Sequence, residues 1–163
     1  VAPRLDKNSV VISYAAVAIA VRASSSIPGI FQPVKYGPYL LVDGAIRNNV
    51  PADLVRFAGA DFVIAVDLGF NLQDEKSLDN ILEIIQQTTA IMGQEISRLR
   101  LEKHADVVVK VKTKNAGLNE VSKVPSLICE GYEAAAAAWP RIFRKYQMVL
   151  HRIDRKTAGY QLL

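Results

Sequence analysis

The sequence predicts an α/β fold with three layers, in which helices cover both faces of a mostly parallel sheet. Strand and helix signals alternate along the chain, which is the pattern of such folds. The segment Phe62–Val66 is apolar at every position, as in a strand buried on both faces. Half of the 163 residues are apolar, which is enough to build a buried core. A chain of this length forms one ordinary domain of about 100–200 residues.

Turn-forming residues divide the first part of the chain into short elements. The predicted elements are strands at residues 9–13, 32–36 and 39–42, and helices at residues 15–24 and 52–58. Pro28-Gly29 ends the first helix, and Gly37-Pro38 turns the chain between the second and third strands. Pro51 and Gly59 bound the second helix, because proline suits a first helical turn and glycine the position after the last.

The rest of the chain is predicted to form two strands and two long helices. The strands are residues 62–66 and 107–109, and the helices are residues 77–103 and 126–148. Ser77 and Ser126 are the predicted N-caps. Apolar side chains recur every three or four positions in both helices, which predicts a buried stripe on each. These side chains are Leu78, Ile81, Leu82, Ile85, Met92, Ile96 and Leu99 in the first helix, and Ile128, Tyr132, Ala135, Trp139, Ile142 and Tyr146 in the second.

Positive charge is concentrated near the carboxyl end. The segment from residue 141 onward contains six lysines and arginines and one carboxylate, Asp154. Its net charge is +5, in a chain whose total net charge is +4. This basic segment predicts either a solvated helix end or contact with anionic lipid. Nucleic acid is not predicted as a partner, because the cations are not interleaved with aromatic side chains that stack on bases. No apolar stretch reaches the roughly 20 residues of a membrane-spanning helix, and the first residues do not resemble a secretory leader.

Few side chains have the spacing of a known catalytic or metal site. The single Cys129 excludes an intrachain disulfide and a cysteine-based zinc site, and it fits a reducing compartment. His104 and His151 lack metal-binding spacing, so no metal is predicted. The sequence contains no phosphate-binding glycine loop, and no cofactor is predicted. It also lacks a G-x-S-x-G serine elbow, and Ser24-Ser25-Ser26 is interpreted as a helix end.

Two carboxylates directly follow apolar strands. Asp43 comes after residues 39–42 and Asp67 after Phe62–Val66. Functional side chains of α/β folds gather at the carboxyl ends of strands, so both are candidates. Asp43-Gly44 is equally typical of a plain turn, and Asp67 can simply accept hydrogen bonds from loop amides. The residues alone leave these alternatives open.

A longer stretch of the sequence resembles the patatin-like phospholipases. The run Arg22–Val34 resembles the segment that precedes the family's catalytic aspartate, and Asp43-Gly44-Ala45 resembles its D-G-[GA] motif. Asn48-Asn49-Val50-Pro51 resembles the stretch behind that motif, and Gly59–Asp67 resembles the next strand. The similarity continues more loosely through residues 78–146. It implies that residues 1–148 are the carboxyl-terminal part of a patatin-like α/β hydrolase domain, followed by a basic tail at 149–163.

The resemblance implies a lipid acyl hydrolase, an esterase that works with a Ser-Asp dyad and without a metal or organic cofactor. The family's serine lies in G-x-S-x-G, on the amino-terminal side of D-G-[GA], and this sequence contains no such motif. We therefore expect an incomplete fold that supplies Asp43 and is inactive alone. The serine would attack a phospholipid or lysophospholipid ester to form an acyl-enzyme. Gly44 would let the backbone turn sharply beside Asp43. Ile27, Pro28 and Phe31 would either line the acyl chain or pack in the core.

The expected partners follow from the same resemblance and from the basic tail. They are a lipid ester substrate, a membrane surface, and either the amino-terminal half of the same protein or a second copy. A missing half would leave an open sheet edge and an uncovered apolar face. The expected location is cytoplasmic or at the membrane periphery. The alternative function is a non-catalytic α/β domain that binds a protein or a membrane surface.

Overall fold

A computed structural model describes residues 2–3, 9–10, 17–69, 80–113 and 120–160. A 3₁₀ turn at Val121–Lys123 leads into the last helix. The helices and strands, in chain order, are β1 (Ala2–Pro3), β2 (Ser9–Val10), α1 (Val17–Ser24), β3 (Val34–Tyr36), β4 (Tyr39–Leu41), α2 (Ala45–Asn48), α3 (Ala52–Phe57), β5 (Ile64–Asp67), α4 (Ile81–His104), β6 (Val107–Lys110) and α5 (Val124–Tyr160). This alternation of helices and strands confirms the predicted α/β class.

The described strands pair two by two. β5 and β6 are parallel, with Ile64 opposite Val107 and Asp67 opposite Lys110. β1 pairs with β2, and β3 with β4, in antiparallel fashion. The predicted turn at Gly37-Pro38 reverses the chain between β3 and β4, and the φ angle of 57° at Gly37 lies where glycine is favoured. Parallel pairing is therefore found in β5–β6, while the strand that leads to Asp43 belongs to a hairpin.

The chain forms two compact units. The first comprises Val1–Pro51 and Leu72–Ser97, and the second comprises Ala52–Asn71 and Arg98–Leu163. In the first unit, Ala23 of α1 packs with Val34 and Leu41 of the hairpin, and Tyr36 and Tyr39 flank this core. The small alanine allows the helix to approach the hairpin closely.

The core of the second unit lies between β6 and α5. Val107 and Val109 pack against Ala138 and Ile142, and Phe62 and Ala134 extend this cluster. Side chains of paired residues point to the same side of a sheet, so Ile64 and Val66 lie on the side that α5 covers.

The prediction that the segment Phe62–Val66 is buried on both faces is wrong at two residues, and β5 begins and ends later, at Ile64–Asp67. Val63 and Ala65, on the side away from α5, are buried, whereas Ile64 and Val66 are 47% and 56% exposed. The reason is that α5 packs over β6, and a helix about 10 Å wide leaves part of this face open.

Asp106 joins α3 to the starts of β5 and β6. Its Oδ2 accepts a hydrogen bond from the Val63 N–H at 2.8 Å and forms an ion pair with Arg56. Arg56 also donates to the Ala60 carbonyl oxygen at 2.8 Å. The backbone N–H of Asp106 donates to the Val63 carbonyl oxygen at 2.9 Å, so this aspartate fixes the parallel pair at its beginning.

The long helix α4 differs from its prediction in burial. Asn80 caps its start, since its Oδ1 accepts the Glu83 N–H at 3.0 Å, while the predicted cap Ser77 lies outside the described residues. Five side chains of the predicted buried stripe are exposed, namely Ile81, Ile85, Met92, Ile96 and Leu99. Leu78 and the side chain of Leu82 lie outside the description. The spacing of apolar residues predicts which face of a helix can be buried, but burial also requires another segment that packs on that face.

The last helix, α5, is longer than predicted and packs through a different line of residues. It continues through Pro140 and through residues 149–160, so the basic segment extends the same helix. Ser126 lies inside its first turn and donates to the Lys123 carbonyl oxygen at 2.8 Å, instead of capping it. Of the predicted stripe, Ile142 is buried, while Ile128, Tyr132 and Trp139 are exposed. Ala134, Ala138 and Ile142 form the packing line, because small side chains let the helix approach β6.

Candidate functional site

The backbone of Asp43 is fixed by the hairpin and by the end of α1. Leu41, the last residue of β4, and Val42 are both buried, and the half-buried Asp43 follows them. The Asp43 N–H donates to the Ser26 carbonyl oxygen at 2.9 Å. The buried residues Leu41 and Val42 on one side and a hydrogen bond to the residues after α1 on the other therefore hold this residue in place.

The carboxylate of Asp43 is held through one of its two oxygens. Oδ1 accepts a hydrogen bond from the Ala45 N–H at 2.8 Å, at the start of α2. Within the described ranges, Oδ2 has no hydrogen-bond partner. The hydrogen bond expected of an Asp-Gly turn is therefore formed, and it is formed by Oδ1.

Gly44 does not use the conformational freedom that the sequence suggested. Its φ and ψ are −60° and −29°, a right-handed helical conformation open to any residue. Gly44 is the N-cap of α2, and its carbonyl oxygen accepts the Asn48 N–H at 2.9 Å. Gly44 itself is buried.

The three residues expected to line an acyl chain lie in one tight turn. The Ile27 carbonyl oxygen accepts hydrogen bonds from the N–H groups of Ile30 and Phe31, at 3.1 and 2.9 Å. The turn directly follows Ser26, to which Asp43 is bonded, so it adjoins the aspartate. Ile27 is half-buried, Pro28 is exposed and Phe31 is 57% exposed. Core packing therefore does not account for Pro28 and Phe31 in the described structure.

Ser26 supports the site in a way that the sequence did not reveal. The residue is buried, and its Oγ donates to the Arg22 carbonyl oxygen at 2.6 Å, one helical turn earlier. Its own carbonyl oxygen holds Asp43. Because this bond is made by the main chain, no pattern of side chains announces it. From the sequence, Ser24-Ser25-Ser26 is interpreted only as the end of a helix, and α1 does end at Ser24.

Asp67, the other candidate carboxylate, and His104 make contacts within the second unit. Asp67, in the second unit, is the last residue of β5, and its Oδ1 accepts the Gly69 N–H at 2.9 Å, as the loop-amide alternative predicted. His104 contacts Phe57, with ring centroids 5.5 Å apart. The part of the chain that the structure describes contains no group of three metal-binding side chains and no helix that meets the length and hydropathy of a membrane span.

A groove of about 570 Å³ lies along β6 in the second unit. It is lined by residues 106–110 and by small and cationic side chains of α5. Arg141 donates to the Val108 carbonyl oxygen, and Lys145 donates to that of Asp106 at 2.7 Å. No predicted site residue lines this groove. Its two cations are engaged with the backbone of β6, so we assign it no catalytic role.

Comparison with known proteins points to one family. Residues 4–56, which include Asp43, Gly44 and the turn 27–31, match the patatin-like phospholipase family. The chain is 48% identical over 63 residues to patatin-like phospholipase domain-containing protein 7 of Rattus norvegicus. It is 53% identical over 49 residues to an uncharacterized NTE family protein of Mycobacterium bovis, and 41% over 49 residues to a lysophospholipase of Debaryomyces hansenii.

These similarities cover a limited part of each protein. The three alignments include 37%, 30% and 30% of this chain, respectively. They include 4%, 8% and 3% of the three relatives. The chain therefore spans only a small part of the length of the relatives it matches.

Proposed function

We propose, from the match of residues 4–56 to the patatin-like phospholipase family, that this chain is the aspartate-bearing part of a lipid acyl hydrolase. The proposed substrate is a carboxyl ester of a phospholipid or lysophospholipid. The family match and the name of one relative, a lysophospholipase, support this substrate class. No metal or organic cofactor takes part in the proposed reaction.

Asp43 acts as the general base and acid of this reaction. A serine supplied by another segment gives its hydroxyl proton to Asp43 Oδ2, and its oxygen attacks the ester carbonyl carbon. The bond to the alcohol breaks, the leaving oxygen takes the proton from Asp43, and an acyl-serine remains. Water then gives a proton to Asp43 and attacks the acyl carbonyl. The carboxylic acid leaves, and the serine recovers its proton.

The observation that carries the proposal is the one-sided fixation of the Asp43 carboxylate. An aspartate is a weak base in water, so it must be held within about 2.6–3.2 Å of the hydroxyl it serves. The Ala45 N–H holds Oδ1, and Ser26 holds the backbone, while Oδ2 has no partner among the residues described. Such a carboxylate has a fixed direction and one oxygen available for a proton.

The turn 27–31 is proposed as the wall for the acyl chain. It follows the residue that holds Asp43, and it presents the exposed side chains of Pro28 and Phe31. An apolar surface beside the reacting ester would bind the hydrocarbon part of a lipid substrate. Gly44 is proposed as the support that keeps the space behind Asp43 free of a side chain.

The serine is proposed to come from an amino-terminal segment of the same protein, since this sequence contains no G-x-S-x-G elbow. An open sheet supports the need for a further segment. In the described structure β5 pairs only with β6, and its Ile64 and Val66 are half exposed. A strand that pairs with the other edge of β5 would satisfy its backbone groups.

The test is Asp43→Asn in the protein that carries the serine segment. We expect ester turnover to fall by about 10²–10⁴-fold, because the amide cannot take the serine proton. Asp67→Asn is the matched control, since Asp67 also accepts an N–H two residues ahead yet is assigned no role. Circular dichroism should show an unchanged fold for both variants.

Two outcomes would contradict the proposal. Turnover of Asp43→Asn within a few-fold of the unsubstituted enzyme would remove Asp43 from the mechanism. Efficient labelling of the 163-residue chain alone by a fluorophosphonate probe would place the nucleophilic serine in this chain, against the assignment made above.

A further inference from the structure

Ser26 joins the end of α1 to the aspartate through two different groups. Its hydroxyl donates to the Arg22 carbonyl oxygen at 2.6 Å, and its carbonyl oxygen accepts the Asp43 N–H at 2.9 Å. The residue is only 2% exposed, and a hydrogen bond shielded from water is electrostatically stronger than one at the surface. One buried residue therefore couples a helix to the backbone of the proposed base.

The Ser26 hydroxyl takes the place of a helical backbone donor. In a continuous α-helix the Ser26 N–H would donate to the Arg22 carbonyl oxygen, four residues earlier. Here it donates to the Ala23 carbonyl oxygen at 3.3 Å, because the helix has already ended. The last carbonyl groups of a helix need other donors, and the hydroxyl at 2.6 Å is closer to Arg22 than the Ser25 N–H at 3.3 Å. The hydroxyl thus fixes the peptide group that holds the aspartate.

The bond from Ser26 relates the carboxylate to another element of the fold. The Asp43–Ala45 bond lies within one turn, so it orients the carboxylate only relative to its own backbone. The Ser26 carbonyl oxygen ties that backbone to the residues that follow α1. A base must be placed relative to a hydroxyl on another segment, and a displacement of about 1 Å can lower a rate by roughly 10²-fold. The placement of the Asp43 backbone is therefore a requirement of the proposed reaction.

We propose that the Ser26 hydroxyl is a positioning group, which directs the Asp43 carboxylate toward the nucleophilic serine by closing the end of α1. The hydroxyl is not itself offered to an ester, since it is buried and its proton is engaged by the Arg22 carbonyl oxygen. This inference rests on the proposed function, in which Asp43 Oδ2 takes the serine proton. It adds a residue that acts on the reaction through Asp43.

The experiment uses the protein that carries the serine segment and a p-nitrophenyl fatty-acid ester. Ser26→Ala removes the hydroxyl and keeps the carbonyl group, whereas Ser26→Thr keeps both. We expect kcat to fall about tenfold or more in Ser26→Ala with KM within about twofold, and to stay within about threefold in Ser26→Thr. Unchanged kcat in Ser26→Ala, a change confined to KM, or equal losses of kcat in the two variants would overturn the inference.

A double variant tests whether Ser26 acts through Asp43. In the Asp43→Asn background we expect Ser26→Ala to change kcat by less than about twofold, because no base remains to be positioned. Equal fold losses in the two backgrounds would overturn the inference and leave the role of Asp43 intact. Normal turnover by Asp43→Asn alone would be a failure of the proposed function, so the two failures are distinguishable.

Two control variants separate positioning from a general loss of a serine hydroxyl. Ser97→Ala removes another buried serine hydroxyl, on α4. Ser126→Ala removes a hydroxyl that also donates to a carbonyl oxygen of the preceding turn, in the second unit. We expect both variants to keep kcat within about twofold of the unsubstituted enzyme. A loss in Ser97→Ala equal to that in Ser26→Ala would overturn the assignment to Ser26.

Fluorophosphonate labelling separates misplacement of the base from loss of folded protein. The final extent of labelling counts the molecules with a competent site, whereas the rate reports how well the base activates the serine. For Ser26→Ala we expect a rate about tenfold lower and an unchanged final extent. A lower extent at an unchanged rate would show that the hydroxyl only stabilises the fold, and would overturn the inference.

Discussion

At the scale of single residues, Asp43 and Asp106 show how hydrogen bonds decide what a carboxylate can do. Asp43 accepts one described hydrogen bond, from the Ala45 N–H, and keeps its second oxygen available. Asp106 uses one oxygen for both the Val63 N–H and the Arg56 guanidinium. Arg56 and Val63 lie far from Asp106 in sequence, so this aspartate joins distant segments, whereas Asp43 is held by near neighbours and by Ser26. The arrangement at Asp106 stabilises the fold, whereas the one at Asp43 leaves Oδ2 without a partner among the described residues, as the proposed role of this aspartate requires.

Replacement of Asp106 should therefore destabilise the second unit. Asp106→Ala removes two charge-assisted hydrogen bonds and leaves the Arg56 guanidinium without its carboxylate. Because both side chains remain partly exposed, we expect a loss of about 1–3 kcal/mol in the free energy of unfolding. Urea denaturation measures it, with the exposed Asp61→Ala as control, for which we expect a change within about 0.5 kcal/mol. Equal effects of the two substitutions would contradict the structural role of Asp106.

At the scale of elements, α5 protects the outer edge of β6. Val107 donates to the carbonyl oxygen of Val63, just before β5, and Val111 donates to that of Asp67, so the Val108 carbonyl between them points away from β5. Arg141 donates to that carbonyl oxygen, and Lys145 donates to the one of Asp106. Cationic side chains at a strand edge oppose the addition of further strands. The groove beside β6 is thus a strand edge where Arg141 and Lys145 occupy the backbone carbonyl groups.

Removal of the Arg141 and Lys145 side chains should promote association between chains. In Arg141→Ala with Lys145→Ala, the carbonyl oxygens of Val108 in β6 and of Asp106 just before it lose these donors, and a strand of another chain can pair with them. We expect light scattering to rise faster with concentration or temperature than in the original chain. Arg144→Ala, which removes an exposed cation from the same helix, is the control and should behave like the original. Identical scattering by the double variant and the control would show that the edge needs no protection.

At the scale of the whole molecule, much apolar surface faces solvent in both units. In the second unit, Ile64 and Val66 of β5 are half exposed, and β5 has no described strand on its other edge. In the first unit, Ile81, Ile85 and Met92 of α4 are exposed. Contiguous apolar surface of this kind marks places where another segment or chain packs. A partner segment, as proposed for the serine, would cover part of it.

The mass of the native particle tests this expectation. For the isolated chain we expect a native mass above the 17.9 kDa of one copy, through association at β5. Ile64→Lys should return the particle toward one copy, because a lysine on this face opposes edge-to-edge pairing. Val121→Lys, at an exposed position outside the sheets, is the control. A purely monomeric original chain would contradict the expectation, as would equal masses for the two variants.

The local parts of the fold and of the candidate site could be predicted from the sequence. The turn at Gly37-Pro38, the helix between Pro51 and Gly59, and the end of α1 before Pro28 all form where they were expected. Each depends on backbone preferences of a few adjacent residues. The same holds for the Asp43–Ala45 hydrogen bond, which an Asp-Gly pair makes with its own turn.

The sequence by itself determined the alternation of elements, the position of Asp43 after a strand, and the similarity of residues 4–56 to the patatin-like phospholipase family. Only the tertiary structure decided that Ser26 holds Asp43 and that Asp106 joins Arg56 to Val63. It also decided that α5 packs through Ala134, Ala138 and Ile142 while its aromatic side chains are exposed. The physical reason is the range of the interactions. A turn or a cap is made by neighbours a few residues apart, whereas burial depends on which distant segment supplies the opposing surface.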